Sequence, residues 1–376
     1  MAMISYLTTI RFDVGAIKHL VEDMGAAGIT RPLLVTDKGL SKTGMAARIL
    51  ELLPAKDKTP VFDDTPSNPT ETAADAALAL YRAHDCDGLI ALGGGSPMDL
   101  AKAVGLLATH PGPLRQYAMV MGGVAKITDK VAPVLAIPTT SGTGSEVGRA
   151  SLMSFNDGRK FAIVSPHLIP RRAICDPELT YDLPVGLTAA TGMDALTHGI
   201  ECFISGVENP PAGAIALDCA VRAASHIERA VQNGKDKQAR WEMMMASMMG
   251  AMAFQKGLGA VHGLSHALGG RKEVSFHHGT LNAVLLPAVL RYNAGAVGDK
   301  YATLARWLNI PATLGIDGFI AQLNERLGMP KGLGAMGMRA EWSAEVAANA
   351  MEDHATQTNP RKPTVAEYQA LLAEAM

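Results

Sequence analysis

The first half of the chain alternates short apolar runs with segments of helical spacing. The apolar runs "RPLLVTD", "CDGLIALGGG" and "VAPVLAIPTT" cover 31–37, 86–95 and 131–140. Such runs, separated by helical segments of about 10–15 residues, are typical of βαβ units, in which a helix joins two parallel strands. The pattern predicts a parallel sheet, and ligand sites are expected where its strands end.

The pattern changes after about residue 180. Long segments rich in Ala, Met and Leu with helical spacing cover 188–205, 211–233 and 238–256, and their methionines favour core packing over a flexible binding wall. Prolines and a glycine interrupt the chain at "DPELTYDLPVGLT" (176–188). We therefore predict an α/β domain over 1–180 and an all-helical domain over 181–376.

Length and charge agree with two domains and exclude some functions. The chain has 376 residues, and a single core usually stops growing near about 250–300 residues. Its 34 basic and 36 acidic residues form no run of like charge, so nucleic-acid binding is not expected.

Cysteine usage and the N-terminus indicate a cytoplasmic protein. The four cysteines include no C-x-x-C pair and are predicted to be reduced thiols. The first fifteen residues lack the pattern of a signal peptide. No window approaches about 20 consecutive apolar residues, so no membrane span is expected.

A glycine turn follows the second apolar run. In "ALGGGSPMDLAKAV" (91–104), Gly94, Gly95 and Ser96 lead into a helical segment. Ser96 is predicted to cap that helix, and Asp99 to complete a capping box. Backbone N–H groups at such a turn suit a pyrophosphate. The motif is neither G-x-G-x-x-G nor a Walker A sequence, and a simple tight connection is the alternative.

Two other strand ends carry polar side chains. Asp37 ends the first apolar run, where a carboxylate can accept hydrogen bonds from a ribose diol and would repel a 2′-phosphate, which favours NAD over NADP. The third run is followed by "PTTSGTGSE" (138–146), with hydroxyls at Thr139, Thr140, Thr143 and Ser145. The alternatives for this segment are a Ser/Thr-rich surface loop and a contact with cofactor or substrate.

Two histidine-containing segments indicate a metal site. Asp194 and His198 are four residues apart in an apolar helical segment, as are His262 and His266 in "VHGLSHALGG". A third cluster, His277 and His278, follows. One carboxylate and three imidazoles would suit Zn²⁺ or Fe²⁺, which can polarise a carbonyl or lower the pKa of an alcohol.

Together these motifs resemble the iron-dependent (group III) alcohol dehydrogenase family. The matching motifs cover roughly residues 30–295 and are "GGGSPMDLAKAV", "PTTSGTGSEV", "DPELTYDLP", "GLTAATGMDALTHGIE" and "VHGLSHALGG…HHGTLNAVLLPAVLRYN". The resemblance implies a Rossmann-like nucleotide-binding domain, an all-helical metal- and substrate-binding domain in a dehydroquinate synthase-like architecture, and a cleft between them.

The resemblance also implies roles for individual residues. The implied metal ligands are Asp194, His198, His262 and the histidine of the H-G pair. The implied cofactor-binding residues are Asp37 and Asn68 at the adenosine end, Gly94, Gly95, Ser96 and Asp99 at the pyrophosphate turn, Thr139, Thr140, Thr143 and Ser145 in the hydroxyl-rich turn, and Lys160 near the nicotinamide ribose. Phe254 would narrow the substrate channel, and His266 would relay a proton or position the substrate.

The sequence departs from the family around the last histidines. The segment between His262 and the H-G pair is longer than usual, so His277 and His278 compete for the fourth ligand position. We favour His278, because it precedes Gly279 and "RKEVSF" can absorb an insertion. Gly148, Gly199 and Cys202 also differ from common family residues, and Cys202 is expected to be a buried packing thiol.

The expected function is the reversible oxidation of a small alcohol to an aldehyde or ketone, with NAD (NADP less favoured) and Fe²⁺ or Zn²⁺. A homodimer or larger homo-oligomer is expected from the resemblance. The rivals are a metal-independent reductase similar to maleylacetate reductase, a lyase of the dehydroquinate synthase type, and a non-catalytic metal- or nucleotide-binding protein. The sequence does not identify the alcohol.

Overall fold

A computed structural model describes residues 8–271, 273–311 and 313–376. Residues 1–7, which begin the segment without a signal-peptide pattern, lie outside these described residues. Lys272, within the segment "RKEVSF", also lies outside them. The chain forms two compact units. The described part of the first comprises 8–140 and Gly144–Thr180, and that of the second comprises Ser141–Thr143 and, apart from 272 and 312, Tyr181–Met376.

The strands of the first unit are β1 Thr9–Phe12, β2 Pro32–Val35, β3 Val61–Phe62, β4 Gly88–Gly93, β5 Val134–Pro138, β6 Ala150–Ser154, β7 Lys160–Val164 and β8 Arg172–Cys175. Six of them are parallel and form the central sheet, in the order β1-β8-β5-β4-β2-β3. The other two, β6 and β7, form an antiparallel hairpin.

The three strands predicted from apolar runs, β2, β4 and β5, are neighbours inside this sheet and are buried throughout. Their side chains alternate between two core clusters: Leu33 and Val35 enter one, and Leu34 enters the other. Because both faces are covered, these strands contain continuous apolar runs rather than alternating patterns. The parallel sheet is thereby confirmed.

Helices cover the connections of the first unit. The α-helices are α1 Leu20–Ala26, α2 Lys38–Lys42, α3 Met45–Leu50, α4 Glu71–Ala83 and α5 Gly95–Thr109. The short 3-10 helices are Ala16–His19, Lys56–Lys58, Leu114–Tyr117, Met119–Met121, Gly123–Lys126, Pro166–Leu168 and Pro177–Thr180.

Every regular element among the described residues of the second unit is helical, as predicted. The α-helices are α6 Val185–Ile204, α7 Pro210–Gln232, α8 Lys237–Met252, α9 Ala260–Gly269, α10 His278–Asn293, α11 Lys300–Trp307, α12 Gly315–Arg326, α13 Ser343–Glu352 and α14 Val365–Glu374. The 3-10 helices are Ala253–Lys256, Ala294–Ala296, Gly334–Met336, Ala340–Trp342 and His354–Thr358.

Helix α6 is buried along almost its whole length, because α7, α8 and α10 pack around it. A helix enclosed in this way is apolar on all sides. Its polar side chains are therefore exceptional. Met243 of α8 belongs to the same core, and Met244 is also almost fully buried, as the packing interpretation predicts.

No helix among the described residues is both long enough and apolar enough to cross a membrane.

Candidate active site and metal centre

Helix α6 carries Asp194 and His198 among its buried polar side chains. They are one turn apart on the same face, and His198 Nε2 lies 3.4 Å from Asp194 Oδ1. Both side chains are at most 4% exposed. A buried carboxylate is stable only with partners of opposite charge or with several hydrogen-bond donors, so its surroundings define the site.

Two further helices bring histidines to the same carboxylate oxygen. His262 on α9 places Nε2 3.7 Å from Asp194 Oδ1, and His278 at the start of α10 places Nε2 3.6 Å from it. The rings of His198 and His262 stack with centroids 4.7 Å apart. Both predicted segments therefore meet around Asp194, and the ligating atoms of Asp194, His262 and His278 form a compact group.

Gly279 permits this approach of α10 to α6. A Cβ atom at Gly279 would lie 2.1 Å from the carbonyl oxygen of Ala190 and 3.2 Å from the Cβ of Asp194. No side chain fits there without moving the backbone. The H-G pair is thus explained by packing, because the glycine lets the preceding histidine reach Asp194.

The geometry favours His278 over His277 as the fourth member of the group. His277 is exposed at the residue before α10, and its Nδ1 lies 3.3 Å from the hydroxyl of Thr280. His278 is only 27% exposed and faces Asp194.

The distances from Asp194 Oδ1 to the three imidazoles fit a divalent metal ion, and Asp194, His262 and His278 form the compact part of the group, to which His198 adds its contact with Asp194. Ligands bound at about 2.0–2.2 Å in a tetrahedral arrangement are about 3.3–3.6 Å apart. The three distances from Asp194 Oδ1 to imidazole nitrogens, 3.4, 3.7 and 3.6 Å, agree with that value. Imidazole and carboxylate ligands suit Zn²⁺ and Fe²⁺. Asp194, His198, His262 and His278 could therefore hold either ion.

In this site the pKa of the aspartate and the pKa values of the histidines depend on one another. Burial raises the pKa of Asp194, but the facing imidazoles of His198, His278 and His262 outweigh burial and lower that pKa below its ordinary value. Burial lowers the pKa of His198 to about 4, so this imidazole is neutral. Burial also opposes protonation of His262, yet Glu201 and Asp194 raise its pKa to about 9. A proton is thus held at His262 between two carboxylates, at a place that a metal cation can take.

Glu201 is a functional candidate that sequence reasoning missed. Its carboxylate is 1% exposed and accepts hydrogen bonds from His262 Nδ1 at 2.6 Å, Gly259 N at 3.0 Å and Val261 N at 2.8 Å. A hydrogen bond at Nδ1 fixes the tautomer that leaves Nε2 free to ligate. The available signal was its position three residues after His198 in "THGIE".

Asn282 is a second missed residue. Its Nδ2 donates to Asp194 Oδ1 at 2.7 Å and lies 3.2 Å from Nε2 of both His262 and His278. The residue is fully buried and follows His278 by four positions on α10. This helical spacing was the signal that could have identified it.

His266 lies beside the group without joining it. Its ring stacks on His278 with centroids 5.3 Å apart, and its Nδ1 lies 3.0 Å from Asp353 Oδ2. Burial opposes ionisation of Asp353, but His266 outweighs it and lowers the Asp353 pKa to about 2. Because an ionised carboxylate only accepts hydrogen bonds, Nδ1 of His266 carries a proton and Nε2 presents its lone pair.

Phe254 lies close to His198 in space, and Cys202 follows His198 by four residues in the sequence. The Phe254 ring meets His198 edge-on with centroids 4.8 Å apart, so it borders the group. Cys202 is buried in a small apolar cluster with Ala216, Ala253 and Leu258, as expected of a packing thiol.

The glycine turn of the first unit follows β4 as predicted, but its capping differs. Gly93 has φ of +146°, Gly94 is the N-cap, and α5 begins at Gly95. The predicted capping box of Ser96 and Asp99 is therefore wrong, because the glycines let the helix begin two residues earlier, with Gly94 instead of Ser96 as the N-cap. The Ser96 hydroxyl instead donates to the carbonyl oxygen of Ser67.

Asp99 and Ser145 belong to an internal network around Lys102. Lys102 is fully buried and donates to the Ser145 hydroxyl at 2.7 Å and to the carbonyl oxygens of Gly148 and Ala150. The Ser145 hydroxyl donates to Asp99 Oδ1 at 2.7 Å. Burial lowers the pKa of Lys102 to about 8. The sequence pattern does not reveal this lysine, because it lies within an apolar helix.

Four further predicted nucleotide contacts, at Asp37, Asn68, Thr139 and Lys160, lie in the first unit. Asp37 caps α2 by accepting from Leu40 N at 3.0 Å. Lys160 donates to Asn68 Oδ1 at 3.0 Å, so these two residues share one place although the resemblance assigns them to different ends of the nucleotide. Thr139 is buried and its N–H donates to the carbonyl oxygen of Gly93.

Along the chain, Thr140 and Thr143 lie where the assignment to a unit changes. Thr140 is the last residue of the first unit before Ser141. A Cβ at Gly94 would lie 3.2 Å from the Thr140 hydroxyl, so Thr140 is next to the glycine turn. Thr143 belongs to the short segment Ser141–Thr143, which groups with the second unit.

Comparison with known proteins gives consistent matches along the chain. A family model described as iron-containing alcohol dehydrogenase matches residues 8–177, and one for the C-terminal part of the Fe-containing alcohol dehydrogenase family matches 188–376. A relative from Cupriavidus necator, named 4-hydroxybutyrate dehydrogenase, is 51% identical over 383 residues and covers 100% of both chains.

Solved structures agree with these matches. The chain resembles a 1,3-propanediol oxidoreductase with a TM-score of 0.92 and 37% identity, over 100% of both chains. It also resembles a sulfoacetaldehyde reductase from Bifidobacterium kashiwanohense in complex with NAD⁺, with a TM-score of 0.88 and 29% identity, over 100% of this chain and 98% of that one.

Proposed function

The chain belongs to the iron-containing alcohol dehydrogenase family and is an oxidoreductase of alcohols and aldehydes, and we propose that it is metal-dependent and linked to NAD. The observation that carries this proposal is the convergence of three imidazole nitrogens within 3.7 Å of one buried carboxylate oxygen.

Asp194, His198, His262 and His278 would hold Fe²⁺ or Zn²⁺. A divalent ion in this position supplies Lewis-acid chemistry to an alcohol or carbonyl oxygen. Glu201 orients His262, and Asn282 orients Asp194, so the ligands are held in place before the ion binds.

The dinucleotide would bind at the strand ends of the first unit. The proposed domain division is at residue 180, which gives domains over 1–180 and 181–376. The residues proposed to contact it are Asp37, Asn68, Gly94, Gly95, Ser96, Asp99, Thr139, Thr140, Thr143, Ser145 and Lys160. NAD supplies the hydride acceptor. The Asp37 carboxylate favours NAD over NADP, because it would repel a 2′-phosphate, and the NAD⁺ complex of the sulfoacetaldehyde reductase supports the same preference.

His266 would receive the alcohol proton. Asp353 holds the Nδ1 proton of His266, which leaves the Nε2 lone pair available as the base. Burial lowers the pKa of His266 below its ordinary value, so the imidazole is neutral and can accept that proton at neutral pH.

The proposed substrate class is a short hydroxy acid and its aldehyde, such as 4-hydroxybutyrate. The support is the named activity of the Cupriavidus necator relative, which is 51% identical over the whole chain. Phe254, in edge contact with His198, would limit the width of the substrate site. We further propose a cytoplasmic homodimer or larger homo-oligomer, and four buried free thiols support the cytoplasmic location.

The test is a substrate panel with metal-free protein reloaded with Fe²⁺ or Zn²⁺, assayed with NAD and with NADP. We expect activity only after reloading, higher kcat/KM with NAD, and 4-hydroxybutyrate among the best substrates. Asp194→Ala should abolish turnover and lower metal content, whereas Asp299→Ala, at an exposed aspartate of the same unit, should not.

Three results would contradict the proposal. Full activity after metal removal would favour a metal-independent reductase. Binding of metal and NAD without turnover of any alcohol or aldehyde would favour a non-catalytic protein. Retention of both metal and activity by Asp194→Ala would show that the site is assigned to the wrong residues.

A further inference from the structure

A second group of metal-ligating side chains lies next to the first but shares no residue with it. Its members are His266 on α9, Asp353 directly after α13, and His354 at the start of the 3-10 helix His354–Thr358. One potential ligand atom from each side chain lies within 4.8 Å of the other two.

The Asp353 carboxylate bridges the two imidazoles of this group. Its Oδ2 lies 3.0 Å from His266 Nδ1, and its Oδ1 lies 3.5 Å from His354 Nδ1. The two rings stack with centroids 5.8 Å apart and an angle of 19° between their planes. The carboxylate orientation is fixed by a hydrogen bond from Ala355 N to Oδ1 at 2.8 Å.

The three side chains also differ usefully in exposure. The His266 side chain is buried, whereas the His354 side chain is 30% exposed and the Asp353 side chain is 14% exposed. An ion can therefore reach the group from solvent. The partly exposed His354 ring can also turn to shorten its distance to the other two ligands. Two imidazoles and one carboxylate, with further positions open to water, make a ligand set that Zn²⁺ accepts.

We propose that His266, Asp353 and His354 form a second, weaker site for a divalent cation of the Zn²⁺ type. Zn²⁺ at this site has three protein ligands, whereas the first site offers four, so it binds only above the concentration that fills the first site. The consequence for catalysis rests on the proposed function: a metal-bound His266 no longer relays a proton, and excess zinc inhibits the enzyme.

The experiment counts bound zinc without using enzyme activity. Full-length metal-free protein is dialysed against increasing Zn²⁺, and bound zinc is measured by elemental analysis. The wild type is expected to bind two equivalents of different affinity. His354→Gln, which keeps the side-chain size but removes the imidazole, should bind one. His354→Cys, which restores a ligand, should bind two. Circular dichroism confirms that each variant is folded.

Two controls separate this site from other zinc binding. His19→Gln removes an exposed histidine that is also hydrogen-bonded to a carboxylate, that of Glu22, and should still bind two equivalents. Asp194→Ala should lose the tighter equivalent and keep the weaker one. Among the variants that keep activity, inhibition by excess zinc should disappear in His354→Gln only.

The proposal is overturned if the wild type binds a single equivalent, if His354→Gln still binds two, or if His19→Gln loses the weaker equivalent as well. Because the count needs no substrate, a failure to oxidise alcohols would contradict the proposed function and leave this result intact.

Discussion

Glu201 links backbone structure to the chemistry of one imidazole. Its carboxylate accepts two backbone N–H groups at the start of α9 and the Nδ1 proton of His262. The first turn of a helix has free N–H groups and favours negative charge. The same contact therefore stabilises α9 and selects the tautomer of His262 that leaves Nε2 for a metal.

Replacing Glu201 by Gln should weaken metal binding by about 10–100-fold. Glutamine has a single acceptor oxygen, so it cannot accept both the hydrogen bond from Val261 N, now at Oε1, and the hydrogen bond from His262 Nδ1, now at Oε2. Competition with a chromogenic chelator measures the affinity. Glu208→Gln, at an exposed position beyond the end of α6, should bind metal as the wild type does. Equal affinities for all three proteins would contradict the orienting role.

Glu146 gives the first unit a pH-dependent stability. It is 2% exposed, and burial raises its pKa to about 7 from an ordinary value of 4.5. Between these two pH values the folded state holds more protons than the unfolded state. The free energy of unfolding therefore falls as the pH rises from 4.5 to 7, and this contribution is fully lost above pH 7.

Glu146→Gln should remove that loss, because the amide cannot ionise. We expect the variant to be more stable than the wild type by about 3 kcal/mol at pH 8 and to show a smaller change in stability between pH 5 and 8. Urea unfolding across this range measures both quantities. Glu51→Gln, at an exposed site in the same unit, should keep the wild-type pH dependence. The same slope in Glu146→Gln would exclude Glu146 as its source.

At the scale of elements, close packing between α6 and α10 positions the ligands. Asp194 and His278 belong to different helices and meet only because Gly279 lets α10 approach the carbonyl oxygen of Ala190. Overpacking a tight contact usually costs about 1–3 kcal/mol. Here the obstructing atom belongs to the backbone, so α10 itself must move.

Gly279→Ala should therefore lower both stability and metal affinity. We expect a loss of about 1–3 kcal/mol in the free energy of unfolding, together with weaker metal binding, because His278 moves away from Asp194. Chemical denaturation and chelator competition measure the two effects. Gly295→Ala serves as control, since a Cβ there meets no atom within 4 Å. Wild-type metal affinity in Gly279→Ala would show that this contact does not position His278.

Elements with strong periodicity were predictable, and short elements were not. The strands β2, β4 and β5 were evident as apolar runs because both their faces are buried. Strand β3 has only two residues, and its pairing with β2 depends on distant chain. Likewise, histidines at helical spacing predicted the group around Asp194 that we propose as the metal site. Asp353 could not be found from sequence, because only the fold brings it to His266.

At the scale of the whole molecule, the proposed metal ion and the proposed NAD bind mainly to residues of different units. The four proposed metal ligands belong to α6, α9 and α10, whereas all the proposed nucleotide contacts except Thr143 belong to the first unit. A ligand that binds only the folded state stabilises it by an amount that grows with saturation, about 2.7 kcal/mol at 100 times Kd. Local opening near the ligand becomes correspondingly rarer.

Hydrogen exchange should therefore give two distinct protection maps. Metal should slow amide exchange in α6, α9 and α10 by up to about 100-fold at 100 times Kd, because these helices must separate for the ligands to release it. NAD should instead protect the turns at 93–96 and 139–145. Asp194→Ala should lose the protection by metal and keep the protection by NAD, which makes it the matched control. If metal protected β2, β4 and β5 as strongly as α6, α9 and α10, the assignment of the metal to the helical unit would be wrong.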